Sequence, residues 1–469
     1  MMVPSHGTLP PPPVHGYGAG FRALTVQAPN GSAHASPVYM IGWRAQRRLT
    51  WGVRLAASIM LIGGLVFLAH LFEFVFSRTR IPDVLWLVLI GVALGPASHL
   101  LSPAAFGVVG PAFVAITLVL ILFESGLTLQ FSRLRQALPG TLALSSVSFI
   151  GEALILGAAA WWMSPLGAFR SFLLGVILAG NSPTVIVPLA KGLGLEERTR
   201  DILLLESAFG DVISIVLALA LLDFHANGWG RWAITGRHFL LGFGGAVLIG
   251  AAGGIAWAMA LRKTRGLQNP MFTTPAFVFL LYGGAELLHA NGAIAALAFG
   301  VVLGNVGQSK LARGTLPAVG LNQAEMVFLG EIVFLLKTFF FVYIGLSIRF
   351  TDLEWLLFGG LLTLLLVIPR ISAVGLTLRR HTSTRDASLA ACMVPKGLAA
   401  AVLAELLVQQ NVPGAAELQS IIYAVIFFGV VITSILVFLV NRPVGANLMA
   451  WLLRRRRDEP QPETVLTAS

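Results

Sequence analysis

Two carboxylates five residues apart, Glu206 and Asp211, stand inside an apolar run that reads LLLESAFGDVISIVLALALL. A charge in so apolar a run is expensive in hydrocarbon, and such groups pair with one another or line an aqueous path. Upstream, Asn181, Ser182 and Pro183 interrupt a second apolar run. A proline there removes a backbone donor and breaks a helix. Freed backbone groups beside a buried acid are how membrane-embedded ion sites are built. Asp211 is therefore a candidate ion-binding acid, with Gly210 beside it leaving room for an ion or water. Ser207 lies one turn earlier on the same face, so its hydroxyl is a further candidate ligand. Glu206 and Asp211 lie about 140° apart on a helical wheel, so they face different neighbours.

Composition sets the solvent for these groups. The 469 residues are 56% hydrophobic and 11% charged, against about 25% charged in soluble domains. The one cysteine, Cys392, excludes an internal disulfide framework and a thiol metal site. A net charge of +11 would suggest nucleic acid in a soluble chain, but in a bilayer basic residues set topology, and no nucleic-acid partner is expected. No Gly-x4-Gly-Lys-Ser/Thr sequence or His/Cys cluster is present. Neither ATP-driven chemistry nor a transition-metal cofactor is expected, and the chain does not read as an enzyme.

Windows of about 20 apolar residues predict an all-α integral membrane protein with about 13 spans between residues 51 and 441. Residues 1–50 read as a disordered arm rich in Pro, Gly and Ser, and 442–469 as a short basic tail. Twenty Lys and Arg fall in the connections and tail on one side, and four (Arg170, Arg231, Arg237, Arg349) in those on the other. The positive-inside rule then places the C-terminus in the cytoplasm. A second proline-broken segment, Met393-Val394-Pro395-Lys396-Gly397, lies seven spans after the first. An odd offset makes the two run oppositely through the membrane, which is the signature of inverted repeats with a site where they cross.

The motifs LVLIGVALGP (ending at Pro96), LFESGLTL (122–129), AGNSPTVIVPLAKGLGL (179–195), LLLESAFGD (203–211), ALAFGVVLGN (296–305), FFFVYIGL (339–346) and VPKGLAAAVLA (394–404) occur in one order. Together they resemble the monovalent cation/proton antiporter superfamily, sodium/proton exchangers included, over most of residues 80–440. The resemblance implies the inverted-repeat antiporter fold with two broken crossing helices, Asp211 as the ion-binding aspartate, and a Glu206–Arg370 pair. It also implies a homodimer, elevator-like motion of a core bundle, and sodium over potassium as the cargo exchanged for protons. A potassium/proton exchanger, or a non-transporting sensor or channel-like regulator on the same fold, are the alternatives.

Two departures from the family pattern matter. The Thr-Asp-Pro of the first break reads Asn181-Ser182-Pro183 here, and Gly210 replaces the Asn or Asp before the ion-binding acid. One carboxylate is thus missing near the site. Asn181 and Ser182 are expected to contribute ligands, as is Glu124, which lies near the end of a span and faces Lys337, Asn181 or Arg370. Lys337 is expected in mid-span, pairing with Asp211 until a cation displaces it, which would make exchange electrogenic. Lys396, beside Pro395, is expected to offset the carbonyl ends of the broken helix. Glu73, Glu152, Glu286, Glu331 and Glu405 match no site motif. The expected location is a bacterial inner membrane.

Overall fold

The computed structural model describes residues 60, 62–72, 74–75, 82–101, 109–129, 131–227, 232–266, 270–306, 320–350, 352–378 and 382–453. The expected arm over 1–50, Glu73 and Arg454 to Arg457 lie outside them. The first helical stretches are α1 (Ile62–Phe72) and α2 (Asp83–Val92), the latter running into a π-turn, Ala93–Ala97, around Pro96. Next come α3 (Val109–Thr128), α4 (Phe131–Met163), α5 (Ala168–Leu178), α6 (Pro183–Gly192), α7 (Glu197–Asn227) and α8 (Trp232–Thr264). They are followed by α9 (Thr273–Leu287), α10 (Gly292–Val306), α11 (Gln323–Ser347) and α12 (Leu353–Thr377). The chain continues with α13 (Thr384–Cys392), α14 (Leu398–Gln409), α15 (Ala415–Val440) and α16 (Pro443–Leu452). No strand occurs among the described residues. Seven helical stretches, the broken pair α5–α6 among them, are long and apolar enough to cross a bilayer. The first residues of the expected tail form a helix, α16, started by Pro443 at its first turn.

The helices sort into two groups by what they touch. In the first, α10 packs along both α3 and α8, and α11 packs along α2 and α3. In the second, α4 packs on α5, α7 and α12, while α15 packs on α12, α13 and α14. Lipid gives helices no hydrophobic reason to associate, so close backbone approach through small residues carries much of the packing. The motif glycines do this in pairs. A Cβ at Gly91 would collide with Val342 and Gly345, and one at Gly126 with Leu297 and Gly300. The sequence motifs that contain these residues are thus contact surfaces of one helix for another.

The second group holds both broken elements. α5 stops at Leu178 and α6 starts at Pro183; α13 stops at Cys392 and α14 starts at Leu398. A staple fixes the other ends of these halves. Gly194, at φ +62°, ends α6 in the left-handed conformation that suits glycine. Arg385 donates to the Leu193 carbonyl at 2.9 Å, and Asp386 accepts from the Glu196 N–H at 2.8 Å.

Candidate functional site

The two breaks meet. The Ser182 N–H donates to the Pro395 carbonyl at 2.8 Å, so each break satisfies a backbone group that the other leaves free. Gly397 permits the contact, because a Cβ there would strike the Ser182 side chain. Val394 N–H finds Thr433 Oγ1 of α15 at 3.2 Å. α7 passes against the first break through Gly210. A Cβ at Gly210 would stand 3.3 Å from Gly180 Cα and 3.4 Å from the Asn181 nitrogen. The room expected beside Asp211 is therefore taken by protein backbone, and Gly210 serves close approach rather than ion access.

A buried polar network spans the crossing. Arg370 of α12, wholly enclosed, donates to both oxygens of Glu206 at 2.8 and 3.2 Å, to Ser148 Oγ at 3.2 Å and to the Ala390 carbonyl at 3.2 Å. Asn181 Nδ2 donates to Glu206 Oε1 at 2.9 Å, and its Oδ1 accepts from Lys396 at 2.8 Å. Lys396 also donates to Glu152 Oε2 of α4 at 2.5 Å. The chain of contacts runs Glu152, Lys396, Asn181, Glu206, Arg370. It ties five elements to one another: α4, the two breaks, α7 and α12.

Asp211 lies on the other face of α7, as the 140° separation requires. It is 7% exposed, and it lines a cavity of about 580 Å³. The cavity wall comes from both helix groups: Glu124 and Thr128 of α3 and Lys337 of α11 from the first, Ser182, Thr184, Asp201 and Leu398 from the second. Of the three acids lining it, Glu124 faces Lys337 at 3.1 Å and Asp201 faces Arg200 at 4.0 Å. Among the described residues, Asp211 has no hydrogen-bond or ion-pair partner. An enclosed carboxylate with no hydrogen bond or ion pair is costly in a low-dielectric interior.

Several expected ligands stand elsewhere. Lys337 pairs with Glu124 rather than Asp211, because α11 packs on α3 while Asp211 approaches the cavity from α7. Asn181 turns both ends of its amide into the network and away from the cavity. Ser207 is fully buried and donates to the Leu204 carbonyl at 2.9 Å; it does not line the cavity. Ser182 does line it, with its hydroxyl 2.7 Å from that of Thr184. Lys396 was expected at the carbonyl ends of the break and instead binds side-chain oxygens of Glu152 and Asn181.

The profile described as "Sodium/hydrogen exchanger, transmembrane" matches residues 63–442, which include both breaks, the network and the cavity. The chain belongs to that family. It is thus a multi-pass integral membrane transporter, not an enzyme, and no cofactor is indicated. Among relatives of this chain is the Na(+)/H(+) antiporter NhaH of Halobacillus aidingensis, 25% identical over 301 residues, which cover 61% of this chain and 73% of that one. Another is the K(+)/H(+) antiporter NhaP of Alkalimonas amylolytica, 26% identical over 202 residues, 41% of this chain and 34% of that one. The fold matches the sodium proton antiporter MjNhaP1 from Methanocaldococcus jannaschii at pH 8, with TM-score 0.63 and 22% identity over 85% of this chain and 99% of that one.

Within this sodium/hydrogen exchanger fold, sequence reasoning passed over Glu152. Its only signal was an acid in the middle of the apolar stretch SFIGEALILGAAA, with no motif to attach it to Lys396, 244 residues away. Glu405 was similarly unassigned. It accepts from Gln419 at 2.7 Å and Tyr423 at 3.3 Å of α15, and lies 3.5 Å from Tyr343 of α11.

Proposed function

We propose that the protein is a secondary-active antiporter that exchanges one monovalent cation, sodium first, for one proton by alternating access. Asp211 is the carboxylate for which the two ions compete. The single observation carrying this reading is that, among the described residues, Asp211 alone of the cavity-lining acids makes no ion pair within 4 Å. Binding a proton or a cation cancels its charge, so the loaded site loses the penalty of a bare carboxylate in a low-dielectric interior. A cavity walled by two helix groups supports the alternating-access reading, since sliding one group past the other changes which side reaches Asp211. The name of the NhaH relative favours sodium, and that of the NhaP relative keeps potassium as the second reading. A homodimer built through the first helix group, a bacterial inner membrane and a cytoplasmic C-terminus complete the proposal. The twenty-to-four distribution of basic residues supports the last.

The test is cation-induced dequenching of a pH-sensitive dye in proteoliposomes, run separately with Na⁺, K⁺ and Li⁺. Antiport moves protons against each accepted cation; a channel or sensor on the same fold gives no proton movement coupled to the cation.

Stoichiometry follows from the position of Lys337. Its pairing with Glu124 and not with Asp211 supports an exchange in which one positive charge crosses in each direction. On a solid-supported membrane without a pH gradient, wild type and Lys337→Gln are both expected to transport without sustained current. A steady sodium-dependent current from wild type that disappears in Lys337→Gln would restore the lysine as a second proton carrier.

A further inference from the structure

Glu152 reaches the crossing because α4 and α5 touch backbone to backbone. A Cβ at Gly175 would collide with the Ala153 carbonyl and crowd Gly157. Glu152 and Lys396 are both fully enclosed. Oε2 of Glu152 accepts from Lys396, while Oε1 is buried and accepts from no group among the described residues. Stability is a poor explanation for such a pair. Buried ion pairs commonly stabilise no better than hydrocarbon of the same shape, and an unmet acceptor is a further cost.

Charge arithmetic offers a better one. Glu152 and Glu206 carry two negative charges, and Lys396 and Arg370 two positive ones, joined through Asn181. The network adjoins the cavity at two points, since Ser182 follows Asn181, and Leu398 follows Gly397 in the second break. We infer that Glu152 is a positioning residue for exchange, which cancels Lys396 so that the crossing presents no net charge to an ion approaching Asp211. This rests on the antiport reading above. Without Glu152, the Lys396 ammonium keeps only the Asn181 carbonyl as a direct side-chain partner, with Glu206 farther off. The Lys396 charge then acts through a poorly screening interior on the incoming cation. The cost falls on cation affinity more than on turnover.

The experiment uses the full chain and two separate readouts. Sodium affinity is measured in detergent from the sodium-dependent rise in melting temperature, and apparent KM and maximum rate are measured in proteoliposomes. Glu152→Gln is expected to weaken sodium binding and raise KM about tenfold, with a smaller fall in maximum rate. Glu152→Asp, which keeps the charge, and Glu152→Gln/Lys396→Gln, which restores neutrality, are expected within about threefold of wild type. Glu152→Gln with wild-type affinity overturns the inference, as does a double variant as weak as the single one. If Glu152→Gln does not fold, the double variant and Glu152→Asp decide by the same limit. Failure of wild type to move protons in exchange for any cation sinks the antiport reading, whereas an unchanged sodium affinity in Glu152→Gln sinks only the role of Glu152.

Discussion

Asp211→Asn is expected to abolish cation-dependent proton movement, by at least about a hundredfold in rate, and to leave the protein folded. The amide has the shape of the carboxylate but neither binds a proton in this pH range nor carries the charge that attracts a cation. No other cavity acid can replace it, because Glu124 and Asp201 already face Lys337 and Arg200. The structural cost is small for the same reason that the functional cost is large. Asp211 has no partner among the described residues to leave stranded, so the melting temperature is expected to stay within about 2 °C of wild type. Purified Asp211→Asn protein that still drives substantial proton flux on sodium addition removes Asp211 from the site. A variant that unfolds would instead make the residue structural.

Glu206→Gln and Arg370→Ala reverse this pattern. Arg370 is fully enclosed and donates to both Glu206 oxygens, to Ser148 and to the Ala390 carbonyl of α13. Taking away one partner of such a pair strands a buried charge and costs about 3–5 kcal/mol. The loss spreads, because Glu206 also holds Asn181 and through it the first break. Both variants are therefore expected to melt well below Asp211→Asn in detergent. The effect should be larger for Arg370→Ala, which also leaves a cavity between α12 and α13. Melting curves followed by tryptophan fluorescence check the order. Equal, small shifts for all three variants would mean that the pair does not hold the crossing together.

The all-α architecture, both broken segments and the opposed faces of Glu206 and Asp211 were legible in the linear chain. Each is a local property: twenty apolar residues suit a bilayer, a proline breaks the helix that contains it, and the helical repeat sets the angle between nearby side chains. The Glu206–Arg370 pairing came from resemblance, since no local rule joins residues 164 positions apart.

The tertiary structure decided which distant charges meet and which acid is left alone. Lys337 lies in the middle of α11, yet its partner depends on which helices pack against α11, and α3 supplies Glu124. Asn181 looked like an ion ligand beside a break, but both ends of its amide are used by Lys396 and Glu206. Glu152 had no motif at all; it matters because Gly175 lets α4 and α5 touch closely enough to deliver a carboxylate to the break. Apolar patterning shows that a segment lies in hydrocarbon and cannot say which way it faces its neighbours. Long side chains that meet across the crossing are set by close helix packing, and that exists only once the chain has folded.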